Sequence, residues 1–226
     1  MSDLVTLSRT GGHAQITIDD GKVNALSPTM LAAIGEALDA VEGDGTPVVI
    51  RGRPGMWSAG FDLKVLNAAG PDALGMLRSG FGLAARMLEF PVPVVMVATG
   101  HAVAMGLFLL CSGDYRIGVD GEFRVTANEV AIGLTVPDAA IAILRHRLAP
   151  AFLDRAVGLA EVFDPRGALA AGCLDRVVAG ADVDAAVAGV VAQMSTLDLA
   201  AHAASKRRVR EHTVRTLRGA IAAEFA

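Results

Sequence analysis

Two short apolar runs, Pro47-Val48-Val49-Ile50 and Val94-Val95-Met96-Val97, constrain this chain more than any other feature. Each reads as a buried strand, because consecutive apolar residues bounded by turn-formers leave no polar face for solvent. The first passes through Arg51-Gly52-Arg53-Pro54-Gly55 into Trp57-Ser58-Ala59-Gly60-Phe61-Asp62-Leu63, and the second passes into Gly100-His101-Ala102-Val103-Ala104-Met105-Gly106. Small residues let a backbone turn sharply and approach a ligand closely. An apolar run, Leu107 to Cys111, follows the second turn, and Tyr115–Gly118 and Glu122–Arg124 read as further short strands. Strand, turn, apolar helix and strand again is a βα pattern, which predicts crossover connections and a layered α/β core. Each small-residue turn is either a plain connection or a loop that aims backbone N–H groups at developing negative charge. Side by side, the two would converge on one point.

The rest of the chain fits around this core. Leu4–Ser8 and Ala14–Ile18 alternate apolar and polar about Gly11-Gly12, a hairpin signal. Ser27 and Pro28 start a helix with Leu31, Ile34, Leu38 and Val41 on one face and Gly43 at its expected C-cap. A second helix is predicted over Asp72–Phe90, with Gly75, Gly80 and Gly82 weakening its continuity. Beyond Pro137 the pattern is mainly helical: Ala139–Leu148, Ala151–Gly158, Arg166–Ala171, Val183–Leu197 and Leu199–Glu224. The organisation predicted is a core over 1–180 and a helical region over 181–226 that serves as a subunit contact.

A net charge of −4 in 226 residues argues against a nucleic-acid surface. The exception is Lys206-Arg207-Arg208-Val209-Arg210 with Arg215 and Arg218, either a solvated helix face or a contact for an anion such as a phosphate. No apolar run is long and uncharged enough to span a bilayer. The opening Met-Ser-Asp-Leu lacks the basic start and apolar stretch of a signal peptide, so a cytoplasmic protein is expected. Cys111 and Cys173 sit among apolar or small residues and read as buried thiols.

Chemistry has few candidates. The histidines, at 13, 101, 146, 202 and 212, are too scattered for a shared metal. His101 either touches substrate or makes a local structural hydrogen bond. Glu129 is the one carboxylate within the largely apolar Val125–Pro137. An apolar setting raises a carboxyl pKa, which suits a group that takes and returns a proton near neutral pH; the other reading is a surface residue. Asp62 and Asp138 read as helix N-caps, and Asp114 as the closure of a turn.

Taken in order, these pieces resemble the crotonase (enoyl-CoA hydratase/isomerase) superfamily. Trp57–Leu63 resembles its S-A-G-x-D-L signature, and Gly100–Asp114 its second glycine-rich turn and helix, ending in Gly113-Asp114-Tyr115-Arg116-Ile117. Val23-Asn24-Ala25-Leu26 looks like its N-A-L motif and Ala204-Ser205-Lys206 its late T-K element. The resemblance implies a ClpP-like α/β fold (α+β) of stacked ββα units, with a helical C-terminal region supporting a homotrimer or a dimer of trimers. It implies an acyl-CoA substrate, no separate cofactor because CoA is part of that substrate, and no metal, nucleic acid or membrane. By motif position the thioester oxygen would sit between the backbone N–H groups of Phe61 and Met105, the latter a departure from the usual Gly. Substrate would be bounded by Lys22, Asn24, Ala25, Ala59, Gly60, Asp62, Leu63, Gly106 and Phe108. Lys22, Lys64 and the Lys206–Arg210 stretch are the cations available to CoA phosphates. Hydratases of this superfamily use two Glu residues; the first falls at Phe108, and the second aligns with Glu129. Asn128-Glu129-x-x-x-Gly133 looks like the N-E-x-x-x-G run of mitochondrial Δ3,Δ2-enoyl-CoA isomerases. One acid suffices for a 1,3-proton shift, so isomerisation is favoured, with hydration of 2-enoyl-CoA and acyl-CoA binding without turnover as the alternatives.

Overall fold

The computed structural model describes residues 3–10 and 12–226. The expected hairpin forms between β1 (Val5–Thr10) and β2 (His13–Ile18), antiparallel from Val5↔Ile18 to Thr10↔His13. Gly11, half of its predicted turn, lies outside the described residues. Helix α1 (Pro28–Asp39) begins as read: Ser27 Oγ accepts from Met30 N at 3.2 Å. It ends earlier than read, with Ala40 as C-cap, because Val41 N–H bonds to Leu38 O and tightens the last turn before Gly43 is reached.

From here the chain alternates between two sheets. β3 (Val48–Arg51), β5 (Val94–Ala98) and β7 (Tyr115–Val119) enter a large sheet, and each is followed by a strand of a small one: β4 (Gly55–Ser58), β6 (Gly100–Val103) and β8 (Val125–Thr126). The large sheet is ordered β1-β2-β3-β5-β7-β9 among the described residues, with β9 (Arg176–Val178) at its edge, and all pairs after the hairpin are parallel. The small sheet is β4-β6-β8, also parallel. This layering explains the apolar runs. Val48, Ile50, Val94 and Met96 face the main core, while Val49, Val95 and Val97 point through the sheet onto Val183, Val187, Val190 and Val191 of α8 (Val183–Met194). Strand side chains alternate, so a sheet covered on both faces requires both sets to be apolar.

Several expectations need correction. Trp57-Ser58 and Gly100–Val103 are strand rather than turn; only the residues after them turn. Glu122–Arg124 is not a strand: the pairing starts one residue later, where β8 lies in register with Ala102 and Val103. β9 interrupts the stretch read as helical. The glycines do not break α3 (Gly70–Glu89), because its buried stripe, including Met76, Phe81, Ala84 and Leu88, carries the helix across them. Asp138 is the first residue of α5 (Asp138–Arg147), not its cap. The cap is Glu224, whose carboxylate accepts from Asp138 N and Ala139 N at 2.8 and 3.3 Å.

The final helix, α9 (Leu199–Glu224), has the predicted limits and packs on α3 and α5. Its basic stretch divides: Arg207, Arg208, Arg215 and Arg218 lie on the solvated face expected, but Lys206 and Arg210 do not. Lys206 and Arg210 occupy the buried stripe continued by Val214 and Leu217. Lys206 Nζ lies 2.6 Å and Arg210 Nη2 2.8 Å from the carboxylate of Asp114, which also accepts from Val94 N at 2.7 Å. Asp114 therefore does more than close a turn: it pairs with two buried cations. Burial nevertheless pushes Lys206 down to about 8, against the pull of Asp114.

Candidate active site

The small sheet delivers three segments to one edge. β4 runs into Ala59-Gly60-Phe61, β6 into Ala104-Met105 and β8 into Ala127-Asn128-Glu129. Parallel strands end together, and the carboxyl edge of a parallel sheet is where α/β folds bind ligands.

The first two segments touch. A β-carbon on Gly60 would lie 3.0 Å from Ala104 Cβ and 3.4 Å from Met105 N, and Gly60 holds φ +94, a region that L side chains rarely adopt. Only glycine meets both demands. The contact is locked by Trp57, whose Nε1–H donates to Gly106 O at 2.7 Å, and by Ser58, whose Oγ donates to Asn24 O at 2.8 Å and accepts from Gly60 N at 3.1 Å. Ala104 holds the unfavourable φ 50, ψ −125, pinned because its N–H donates to Thr126 O at 2.9 Å and its carbonyl accepts from Phe108 N at 3.1 Å. Met105 is thereby the first residue of α4 (Met105–Leu110). Neither Phe61 N–H nor Met105 N–H donates to a protein acceptor among the described residues. Two N–H groups without a backbone acceptor thus flank the Gly60–Ala104 contact.

Glu129 stands at the third segment. It is 8% exposed, and its Oε2 has no hydrogen-bond partner. Burial raises its pKa above the ordinary 4.5, only partly offset by its own backbone N–H. The loop that carries it folds back at Gly133, φ +81, so that Leu134 N–H bonds to Glu129 O at 2.9 Å.

Between these segments lies a cavity of about 350 Å³. Ala59, Phe61, Leu63, Ala104, Phe108 and Glu129 line it, as the resemblance implied for all but Ala104. Glu129 is the only ionisable group in its wall among the described residues. The remaining walls went unread in the sequence: Leu66, Leu77, Phe81, Asn128, Ile132, Leu134, Thr135, Pro137 and Phe225. One signal was available, since aromatic residues make up 4% of the chain while Phe61, Phe81, Phe108 and Phe225 are four of its eight phenylalanines.

Other expected site residues sit behind the cavity rather than in it. Asn24 is fully buried; its Nδ2 donates to Ile18 O at 3.0 Å and Trp57 O at 3.1 Å, so its side chain braces β4 and has no donor to offer a substrate. Burial alone would raise Asp20, but the N–H groups of Asn24, Lys22 and Ala25 outweigh it and hold that carboxyl below its ordinary value, which anchors Ala25. Gly106 serves contact between β4 and α4, as a β-carbon there would lie 2.6 Å from Ser58 O. Asp62 caps α2 (Leu63–Ala68), accepting from Lys64 N at 2.8 Å. Lys22 and Lys64 are exposed, whereas Lys206 and Arg210 are held by Asp114 and cannot turn to a phosphate. His101 makes the structural bond: its Nδ1 accepts from Arg124 N at 3.0 Å and its ring meets Phe123 edge-on. Among the described residues no group of three His, Cys, Asp or Glu side chains is placed to hold a metal.

Residues 8–226 match the family model described as enoyl-CoA hydratase/isomerase. The structure superposes on an enoyl-CoA hydratase/isomerase family protein from Pseudomonas syringae with a TM-score of 0.97 and 43% identity, covering 99% of this chain and 97% of that one. A Mycobacterium tuberculosis protein, described once as an enoyl-CoA isomerase and once as a "probable enoyl-CoA hydratase", is also 43% identical in both structures, with TM-scores of 0.93 and 0.94, covering 99% of this chain and 100% and 96% of those. Human mitochondrial Δ3,Δ2-enoyl-CoA isomerase is 26% identical, with a TM-score of 0.92 and coverage of 99% and 90%.

Proposed function

We infer that this chain, which belongs to the enoyl-CoA hydratase/isomerase family of enzymes, moves the double bond of a 3-enoyl-CoA into conjugation with its thioester. The observation that carries this reading is the solitary carboxylate: Glu129, with an unpaired oxygen, in a cavity whose wall has Phe108 where a second acid would be needed.

The proposed chemistry follows from that geometry. The thioester carbonyl accepts hydrogen bonds from Phe61 N–H and Met105 N–H. Glu129 takes a proton from C2, and the electron pair of that C–H bond passes into an enolate whose oxygen the two N–H groups stabilise. The same carboxyl returns the proton to C4 as the double bond shifts from C3–C4 to C2–C3. A buried, undersolvated carboxylate is a stronger base than one in water, and its conjugate acid is still far more acidic than the C4–H bond it forms. Hydration would need a second group to hold and activate water, and Phe108 has no donor or acceptor for that.

Wild type and Glu129→Gln should be assayed with 3-enoyl-CoA and with 2-enoyl-CoA. Isomerisation in wild type and its loss in the variant support the reading. Hydration of 2-enoyl-CoA without isomerisation would replace it with a hydratase, and equal isomerisation by both proteins would remove Glu129 from the mechanism.

A further inference from the structure

Phe225 lies just past the end of α9, far in sequence from every other wall of the cavity. Its ring stacks on Phe81 with centroids 5.4 Å apart and planes at 6°, and Phe81 in turn stacks on Phe108 at 6.2 Å. Its backbone is fixed at both ends: the N–H donates to Ile221 O at 3.1 Å, and the carbonyl accepts from Arg78 Nε at 3.0 Å and Arg78 Nη2 at 2.5 Å. The side chain is buried.

Behind Phe225 is a second space of about 350 Å³, a surface recess between α3 and α9 bounded by Gly82, Ala85, Ile221 and Ala222, with Arg78 and Arg218 at its polar side. Phe225 lines both this recess and the Glu129 cavity. Among the lining residues described, it is the one the two spaces share. The cavity in front is apolar apart from Asn128, Glu129 and Thr135. The recess behind presents small and aliphatic side chains suited to more methylene groups.

We propose that Phe225 is the end wall of the acyl site and sets its chain-length limit, so that the protein selects short acyl thioesters over long ones. This rests on the acyl-CoA reading of the cavity given above. An acyl chain entering from the Glu129 side gains burial with each methylene until it meets the Phe225 ring. Beyond that point it must displace a ring stacked on Phe81 and tethered through Arg78. Without the ring the chain would pass into the recess and continue to gain about fourfold per buried methylene (about 0.8 kcal/mol).

The test measures kcat/KM for 3-enoyl-CoA substrates of six to sixteen carbons, and Kd for the matching saturated acyl-CoAs by calorimetry. The proteins are wild type, Phe225→Ala, Phe225→Trp and the double variant Phe225→Ala/Gly82→Leu. A β-carbon on Gly82 meets no atom within 4 Å, so a side chain there can extend into the recess that Gly82 lines. Wild type is expected to lose affinity past a short optimum. Phe225→Ala should raise the long-to-short ratio at least tenfold, Phe225→Trp should move the optimum to shorter chains, and Gly82→Leu should reverse the gain of Phe225→Ala. The tryptophan variant leaves no void, so it reports even where the alanine variant folds poorly. Coincident chain-length profiles for wild type and Phe225→Trp, or a long-chain optimum in wild type, would overturn the proposal. A Kd profile that moves with residue 225 in a protein that does not isomerise would keep the wall and discard the isomerase reading. Isomerisation with an immovable profile would do the reverse.

Discussion

Glu129 is a buried carboxylate and Asp114 a half-buried one, its side chain 11% exposed, and they stand in opposite conditions. Asp114 has a cation at each oxygen and a backbone N–H besides. Glu129 has an oxygen with no partner, facing an apolar cavity. Buried polar groups in folded proteins are nearly always paired, so burial alone says little about function, whereas an unpaired buried acid marks a group kept for something outside the protein. Asp114 holds α9 onto the core; Glu129 keeps an unsatisfied oxygen, as the proposed base requires.

The largest effect that tests this contrast is on rate. Glu129→Gln keeps the shape and removes the base, and isomerisation is expected to fall about 10²- to 10⁴-fold, the range for general acid–base catalysis. Asp114→Asn should leave the rate per folded molecule near that of wild type. The acid limb of kcat/KM in wild type should lie above pH 4.5, the ordinary value, because burial raises Glu129 and the free enzyme needs it ionised. A limb at or below 4.5 would mean that the base is an exposed carboxylate elsewhere.

The next effect is on stability and reverses the ranking. Asp114→Ala leaves Lys206 and Arg210 as buried, uncompensated cations, and urea unfolding should register a loss of about 3–5 kcal/mol. A loss under 1 kcal/mol would mean that solvent reaches the pair and that α9 is held by its apolar stripe alone. Smaller again is Trp57→Phe, which removes the donor to Gly106 O and leaves that buried carbonyl without it. A cost of about 1–3 kcal/mol is expected, with a fall in kcat greater than any change in KM as the two turns lose their tie. An unchanged kcat would show that Gly60 packing alone fixes the two N–H groups.

The ease of reading these parts from the sequence follows their physics. The doubly buried strands were legible because both faces demand apolar residues, and α9 was legible to its last residue because an Asp N-cap and a long polar face bound it. The small sheet was hidden. Its strands have four, four and two residues, too short for a period to appear, and their glycines serve close backbone contact while looking like turn signals. Glu129 stood out through apolar neighbours in sequence, but its missing partner is a fact of space. Lys206 and Arg210 were misread because charge suggested solvent, although their spacing runs on into Val214 and Leu217 and places them on the inward stripe. Phe225 had no local sign: what it closes is built by residues from Ala59 to Pro137.

The smallest expected effect separates the two acids most sharply, because it has the opposite sign in each. Glu129 has a folded-state pKa raised by burial, so in the window between its unfolded and folded values the native state binds the proton more tightly than the unfolded chain. The stability associated with that proton is full below the unfolded pKa, about 4.3, and is lost as pH rises through the folded one. As pH rises through the folded value, wild type takes on a buried charge with one unpaired oxygen, which Glu129→Gln lacks. The variant should melt higher than wild type at pH 7, and its advantage should shrink as pH falls towards 4, where wild type has taken up its proton. Asp114→Asn should melt lower than wild type at pH 7, since it withdraws charge from two buried cations. Differential scanning fluorimetry across pH 4–8 on the three proteins reads both signs at once. If Glu129→Gln melts lower than wild type at pH 7, the carboxylate has a stabilising partner and is a structural acid like Asp114.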